Sequence, residues 1–103
     1  MSAASLETVT EKITAKLSRG ASVNARVKFD FGDDGRIFVD ATQSPPVVSH
    51  DDFDADTTLI CSIDTFAGFM DGSQDPNIAF LMGKLKIQGS MGIAMKLNGM
   101  LED

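Results

Sequence analysis

The chain has 103 residues, enough for one domain that buries roughly two-thirds of the surface its unfolded form exposes. With 43% hydrophobic and 23% charged residues it is neither disordered nor fibrous, and no stretch approaches the ~20 apolar residues that cross a bilayer. A formal net charge of -6, with neither Trp nor Tyr, argues against nucleic acid, which needs a basic face and stacking rings.

Near the N-terminus, Leu6, Val9, Ile13 and Leu17 recur at three- and four-residue spacing among Glu7, Glu11, Lys12 and Lys16. That is the pattern of an amphipathic helix, and Arg19-Gly20 supplies its stop. No apolar run of the kind found in secretory signals precedes it. Next, "ARVKFDF" alternates strictly, with Ala25, Val27, Phe29 and Phe31 on one face. The Asp34-Gly35 pair then suits a tight turn into "RIFVDA", completing a hairpin. Pro45 and Pro46 exclude a central strand, leaving Val47-Val48 as a short edge piece. After an Asp-rich loop, "TTLICSI" has the β-branched content of a further strand.

The second half changes character. Asp64 is positioned to cap a short helix bearing Phe66, Phe69 and Met70 that stops near Gly72. Asp75-Pro76 is a cap and first-position signal for another, ending at Gly83. "KLKIQ" alternates as a strand, and Ser90 opens a last helix toward Leu101. Hairpins with helices gathered on one face predict an α+β two-layer sandwich formed as one domain over residues 1–103.

Charge is divided along the chain. From Asp30 to Asp75 there are eleven Asp against Arg36 alone, whereas Pro76 to Leu101 holds Lys84, Lys86 and Lys96 and no acid. The acidic half reads as a solubilising surface. Within the basic segment, "FLMGKLKIQGSMGIAMKLNGM" concentrates Met82, Met91, Met95 and Met100. The last helix carries Met91, Ala94 and Met95 on one flank and Ile93, Leu97 and Met100 on another, so more than one stripe is apolar. Such a helix faces protein on one side and something else on the other. Methionine suits a site that accommodates varied shapes, although a Met-rich core or a dimer face fits the same pattern.

No enzyme signature is present. His50 is the single histidine and sits in a loop beside Asp51 and Asp52; Cys61 shares a strand face with Leu59 and Ile63 and reads as a small core residue. As the only cysteine it forms no intramolecular disulfide, which points to an intracellular, cytoplasmic protein. "DDFDADTT" fails as a calcium loop, because counting from Asp52 the sixth and twelfth positions hold Thr57 and Ile63 where Gly and Glu are required. "GKLKIQGSMG" lacks the phosphate-loop pattern. No catalytic residue, metal or cofactor is therefore expected.

The segment from Asp64 to Leu97, "DTFAGFMDGSQDPNIAFLMGKLKIQGSMGIAMKL", resembles the sterol carrier protein type 2 domain, or nonspecific lipid-transfer protein. The most characteristic part runs from Gly83 to Leu97, preceded by the D-P-x-x-A-F piece at Asp75 to Phe80. The resemblance implies a five-stranded, mainly antiparallel sheet with helices on one face around an apolar tunnel, and non-catalytic binding and transfer of a fatty acid, fatty acyl-CoA, phospholipid or sterol-like lipid. It also implies tunnel-lining roles for Phe66, Phe69, Met70, Ile78, Leu81, Met82, Met91, Met95, Leu97 and Met100. A dry tunnel of ~300 Å³ would cost about 7 kcal/mol, comparable to the stability of a small domain. Such a tunnel must be filled, collapsed or lined by side chains that move inward, as methionines can. Lys84, Lys86 and Lys96 are expected to meet a phosphate-bearing head group or an anionic membrane surface. The expected protein is a monomer; the rival reading is a protein-interaction or dimerisation module using the Met-rich C-terminal face, or an accessory domain of a lipid-metabolising complex.

Overall fold

The structure is a computed structural model that describes residues 5–18 and 23–101. Helix α1 spans Leu6–Leu17, and the Ser5 hydroxyl accepts the Thr8 amide proton at 3.2 Å to satisfy one of the first-turn donors. Its Val9, Ile13 and Leu17 are buried as their spacing predicts. The expected stop at Arg19-Gly20 lies outside the described residues.

Strands β1 (Arg26–Asp30) and β2 (Arg36–Asp40) pair antiparallel, with Val27 opposite Val39 and Phe29 opposite Ile37. The connection is longer than the tight turn expected at Asp34-Gly35. Residues 31–35 form a loop built on a 3-10 turn over Gly32–Asp34, closed by the Phe31 amide donating to the Gly35 carbonyl at 2.9 Å. Pairing stops at Asp30, and the following Phe31 continues the alternation into the core, its ring 5.5 Å from that of Phe66.

Strand β3 (Val47–Ser49) is the edge piece allowed by the prolines, paired antiparallel to β2. Strand β4 (Thr57–Ile60) then lies parallel to β1 on its other side, and β5 (Lys86–Gly89) lies antiparallel to β4. The five-stranded order is β3-β2-β1-β4-β5. A parallel β1-β4 pair forces residues 50–56 to run back along the sheet before β4 can start. They do so over the face away from the core: Asp52 meets Lys28 at 2.7 Å and Arg36 at 3.7 Å, and Phe53 stacks edge-on against Phe38. The Asp-rich loop thus covers one face of the sheet with ion pairs and an aromatic contact.

Cys61 follows β4, whose ladder is shorter than "TTLICSI" suggests, and Ser62 rather than Asp64 caps helix α2 (Ile63–Asp71). The Ser62 hydroxyl accepts from the Thr65 amide at 3.1 Å, which starts the helix two residues earlier and places Asp64 within the favourable first turn. Gly72 ends α2 at φ 82, a left-handed position that glycine takes without strain. Asp75 and Pro76 start α3 (Pro76–Leu81), and Ser90 precedes α4 (Met91–Leu101), as the sequence predicts.

Helices α1, α2 and α4 pack against the sheet face that presents Val27, Phe29, Ile37, Val39 and Leu59, giving the two-layer α+β architecture. Phe66 sits at the middle of this layer, with ring centroids 4.8 Å from Phe29 and 6.2 Å from Phe69.

Candidate functional site

The α2-α3 corner and one face of α4 enclose an open cleft of about 520 Å³. One wall is the connection from Gly72 to Asp75 with Pro76, Asn77 and Ile78 of α3; the other is Met95, Asn98 and Gly99, which share a face of α4 at three- and four-residue spacing. Gly72 releases the chain from α2, and the Asp75 carboxylate accepts from the Asn77 amide at 2.8 Å to begin α3. At the rim, the Ser73 hydroxyl and amide hold the Asp71 carboxyl below its ordinary value.

The residues expected to line a tunnel separate into three groups. Phe66, Phe69, Met70 and Leu97 are fully buried and packed into the core. Met95 and Met100 are half-buried against it, and Met95 faces the cleft. Ile78, Leu81, Met82 and Met91 are exposed, Leu81 by 82% and Met82 by 64%. The interior is thus filled by the protein's own side chains, and the open space lies outside that packed layer with Ile78 and Met95 on its walls. Ile78, Leu81 and the C-cap residue Met82 recur at three- and one-residue steps, so they form one apolar face of α3 and its C-terminal end that begins inside the cleft and continues to the surface.

Lys84, Lys86 and Lys96 are all exposed, and none is among the described residues lining the cleft. Lys84 and Lys86 follow directly after the apolar face of α3.

Sequence reasoning missed Asn98. It is 3% exposed and neither its Oδ1 nor its Nδ2 has a hydrogen-bond partner. A signal for it exists in the sequence: Asn98 falls between Ala94 and Leu101, at the spacing of the buried stripe of α4, where an apolar residue is expected.

The remaining chemistry-bearing side chains are committed elsewhere. The Thr10 hydroxyl donates to the Leu6 carbonyl at 2.6 Å, so its contact with His50 at 2.9 Å requires the ring to donate from Nε2. Burial pushes the Cys61 thiol up to about 12, far from a reactive thiolate. Among the described residues no group of three or more His, Cys, Asp or Glu is arranged to hold a metal ion, and no helix is long and apolar enough to cross a membrane.

The model of the SCP-2 sterol transfer family matches residues 6–102. Human sterol carrier protein 2 is 43% identical over 54 residues, which are 52% of this chain and 10% of that protein. The chain therefore spans about a tenth of the length of the curated relatives it matches. Among solved structures, sterol carrier protein 2 like 2 from Aedes aegypti superposes with a TM-score of 0.77 at 20% identity, covering 91% of this chain and 94% of that one. Sterol carrier protein-2 of the same organism, solved in complex with palmitate, gives 0.68 at 18% identity over 89% and 93% of the two chains. At these identities the structural likeness speaks for the fold, and the family match speaks for descent. With both in agreement, this chain belongs to the SCP-2 sterol transfer family.

Proposed function

We propose that this chain binds a lipid and passes it between membranes or partners without catalysing a reaction on it, with the ligand lodged between the α2-α3 corner and α4. The observation that carries this reading is the apolar face of α3: Ile78 stands in a cleft of about 520 Å³ and Leu81 and Met82 continue from it to the surface. That volume lies within the ~300–1,000 Å³ of small-molecule sites. Half-buried Met95 and Met100 are the soft side chains that rearrange around a guest. A palmitate-bound neighbour of the same fold supports a fatty acyl chain as the ligand's apolar part. Fatty acyl-CoA, phospholipid and sterol-like ligands share the apolar requirement.

Burying a methylene from water gains about 0.8 kcal/mol, but the same group drawn from a bilayer was already in hydrocarbon. Exchange between protein and membrane is therefore nearly balanced, and the chain unloads as readily as it loads. Leu81 and Met82, with Lys84 and Lys86 beside them, form the surface for transient contact with an anionic membrane. The protein acts as a cytoplasmic monomer in this reading. The same exposed patch favours a second one, in which Leu81 and Met82 meet a protein partner, a second copy or a lipid-metabolising enzyme, in place of a membrane.

Native mass spectrometry of the purified chain, followed by organic extraction, tests the first reading. A mass increment equal to one extractable lipid per chain is the expected result. A bare chain that also ignores a fluorescent acyl probe and associates as its concentration rises would transfer the case to the interaction module.

A further inference from the structure

We infer that Asn98 is the polar anchor of the cleft and that it selects an uncharged head group presenting a donor and an acceptor side by side, as a primary carboxamide or a glycerol diol does. The inference rests on the lipid-binding reading and names the head group that reading leaves open.

Among the described residues, Asn98 is the buried side chain whose polar atoms have no partner. At 3% exposure, with Nδ2 and Oδ1 both unpartnered, it occupies a position in the buried stripe of α4 where an apolar side chain would carry no desolvation penalty. Buried amides without partners are rare in native proteins and call for an explanation. Here the explanation is its position: Asn98 is among the residues lining the cleft, with Met95 one turn before it and Gly99 beside it, and its amide, covered in this structure, comes within reach as the cleft takes a ligand. A side chain at Gly99 would meet nothing within 4 Å, so the approach past α4 is open.

The amide offers one N-H donor and one carbonyl acceptor along a single planar edge. A carboxamide or adjacent hydroxyls satisfy both at once. An ionised carboxylate satisfies only the donor and leaves Oδ1 facing negative charge. The cleft's one ionisable lining group among the described residues strengthens the discrimination. Among the described residues around it there is Asp75 and neither Lys nor Arg, so an anionic head meets a like charge and no counter-charge. The polar companions on the facing wall, Ser73, Gln74 and Asn77, are uncharged and suit a neutral head.

The test titrates the full chain with two long-chain probes that share one fluorophore and differ only in their ends, a primary carboxamide and the corresponding acid, ionised at neutral pH. The expected result is a preference for the carboxamide of about tenfold, lost in Asn98→Leu. In ligand-free protein, Asn98→Leu is expected to raise the urea midpoint, because an orphaned amide is replaced by an apolar side chain. Should that variant fail to fold, Asn98→Ala reads the same loss of preference. Equal binding of the two probes by the native chain, an undiminished preference in the variants, or a lowered urea midpoint in a folded Asn98→Leu would each overturn the assignment of Asn98 while leaving lipid binding intact. A native chain that binds neither probe overturns the lipid-binding reading itself.

Discussion

The rings of Phe29 on β1 and Phe66 on α2 stand 4.8 Å apart at an angle of 51°, and through them the sheet and the helical layer are joined at their centre. Phe66 also touches Phe31 and Phe69, so one side chain from a helix expected to line a ligand site holds three others in the core. Truncating it should cost about 3–5 kcal/mol, a large part of a small domain's stability. Urea unfolding of Phe66→Ala should show the midpoint falling with an unchanged slope. A loss under ~1 kcal/mol would mean that the layer repacks without it.

Gly89 closes the β4-β5 pair at φ 97, and a Cβ placed on it would stand 2.3 Å from the Asp56 carbonyl oxygen. The obstacle is backbone, which has no rotamer to yield. Gly89→Ala should destabilise by ~2 kcal/mol or more, combining the strained φ with the clash. Gly92 in α4 is the matched control, since a Cβ there meets nothing within 4 Å and alanine is the better helix former. Gly92→Ala should stabilise by about 0.5–1 kcal/mol. Thermal melts of the two variants should move in opposite directions.

Cys61 is buried between β4 and α2, with its thiol pushed up to about 12. In mildly alkaline buffer the native protein should react with a maleimide far more slowly than the urea-unfolded chain, at a rate that tracks opening of the fold. Prompt labelling of native protein would show that the start of α2 opens locally.

Asp40 is held down to about 2, from an ordinary 3.8, first by the Thr42 hydroxyl and the Gln43 amide and lastly by the Arg26 charge. A carboxyl with a lowered folded-state pKa contributes stability above its unfolded value and loses it as pH falls through the folded one. Its contribution should therefore be nearly complete above about 4 and lost below about 2. Asp40→Asn should flatten that part of a stability-against-pH profile. Asp52, lowered chiefly by Lys28, steepens the same acid limb, so the native profile should retain some slope in the variant. An unchanged profile would mean that Asp40 is equally engaged in the unfolded chain.

Lys84 and Lys86 follow closely after the exposed Leu81 and Met82. Near an anionic surface each lysine is worth about 1 kcal/mol, so Lys84→Glu with Lys86→Glu should slow lipid delivery to anionic vesicles about tenfold or more at low salt. Delivery to neutral vesicles should change little. Equal rates on both vesicle types would remove the membrane-contact role of this face.

Local chemistry is what the sequence determines by itself. Strict alternation in 25–31 places Val27, Phe29 and Phe31 inward, the Pro45-Pro46 pair confines the next strand to an edge, and Asp75-Pro76 begins α3 where capping rules require. The family motif from Gly83 to Leu97 is legible for the same reason, being contiguous in sequence. Tertiary structure decides what depends on distance. The parallel pairing of β1 with β4, and the passage of residues 50–56 over the open face, follow from strand order, which no local pattern encodes. Burial of Phe66, Phe69, Met70 and Leu97 against exposure of Leu81 and Met82 follows from which side of each helix meets the sheet. The cleft arises because a glycine-ended turn at Gly72 sets α3 beside α4, and only there does the unpaired amide of Asn98 become a feature of a site instead of an oddity in an apolar helix.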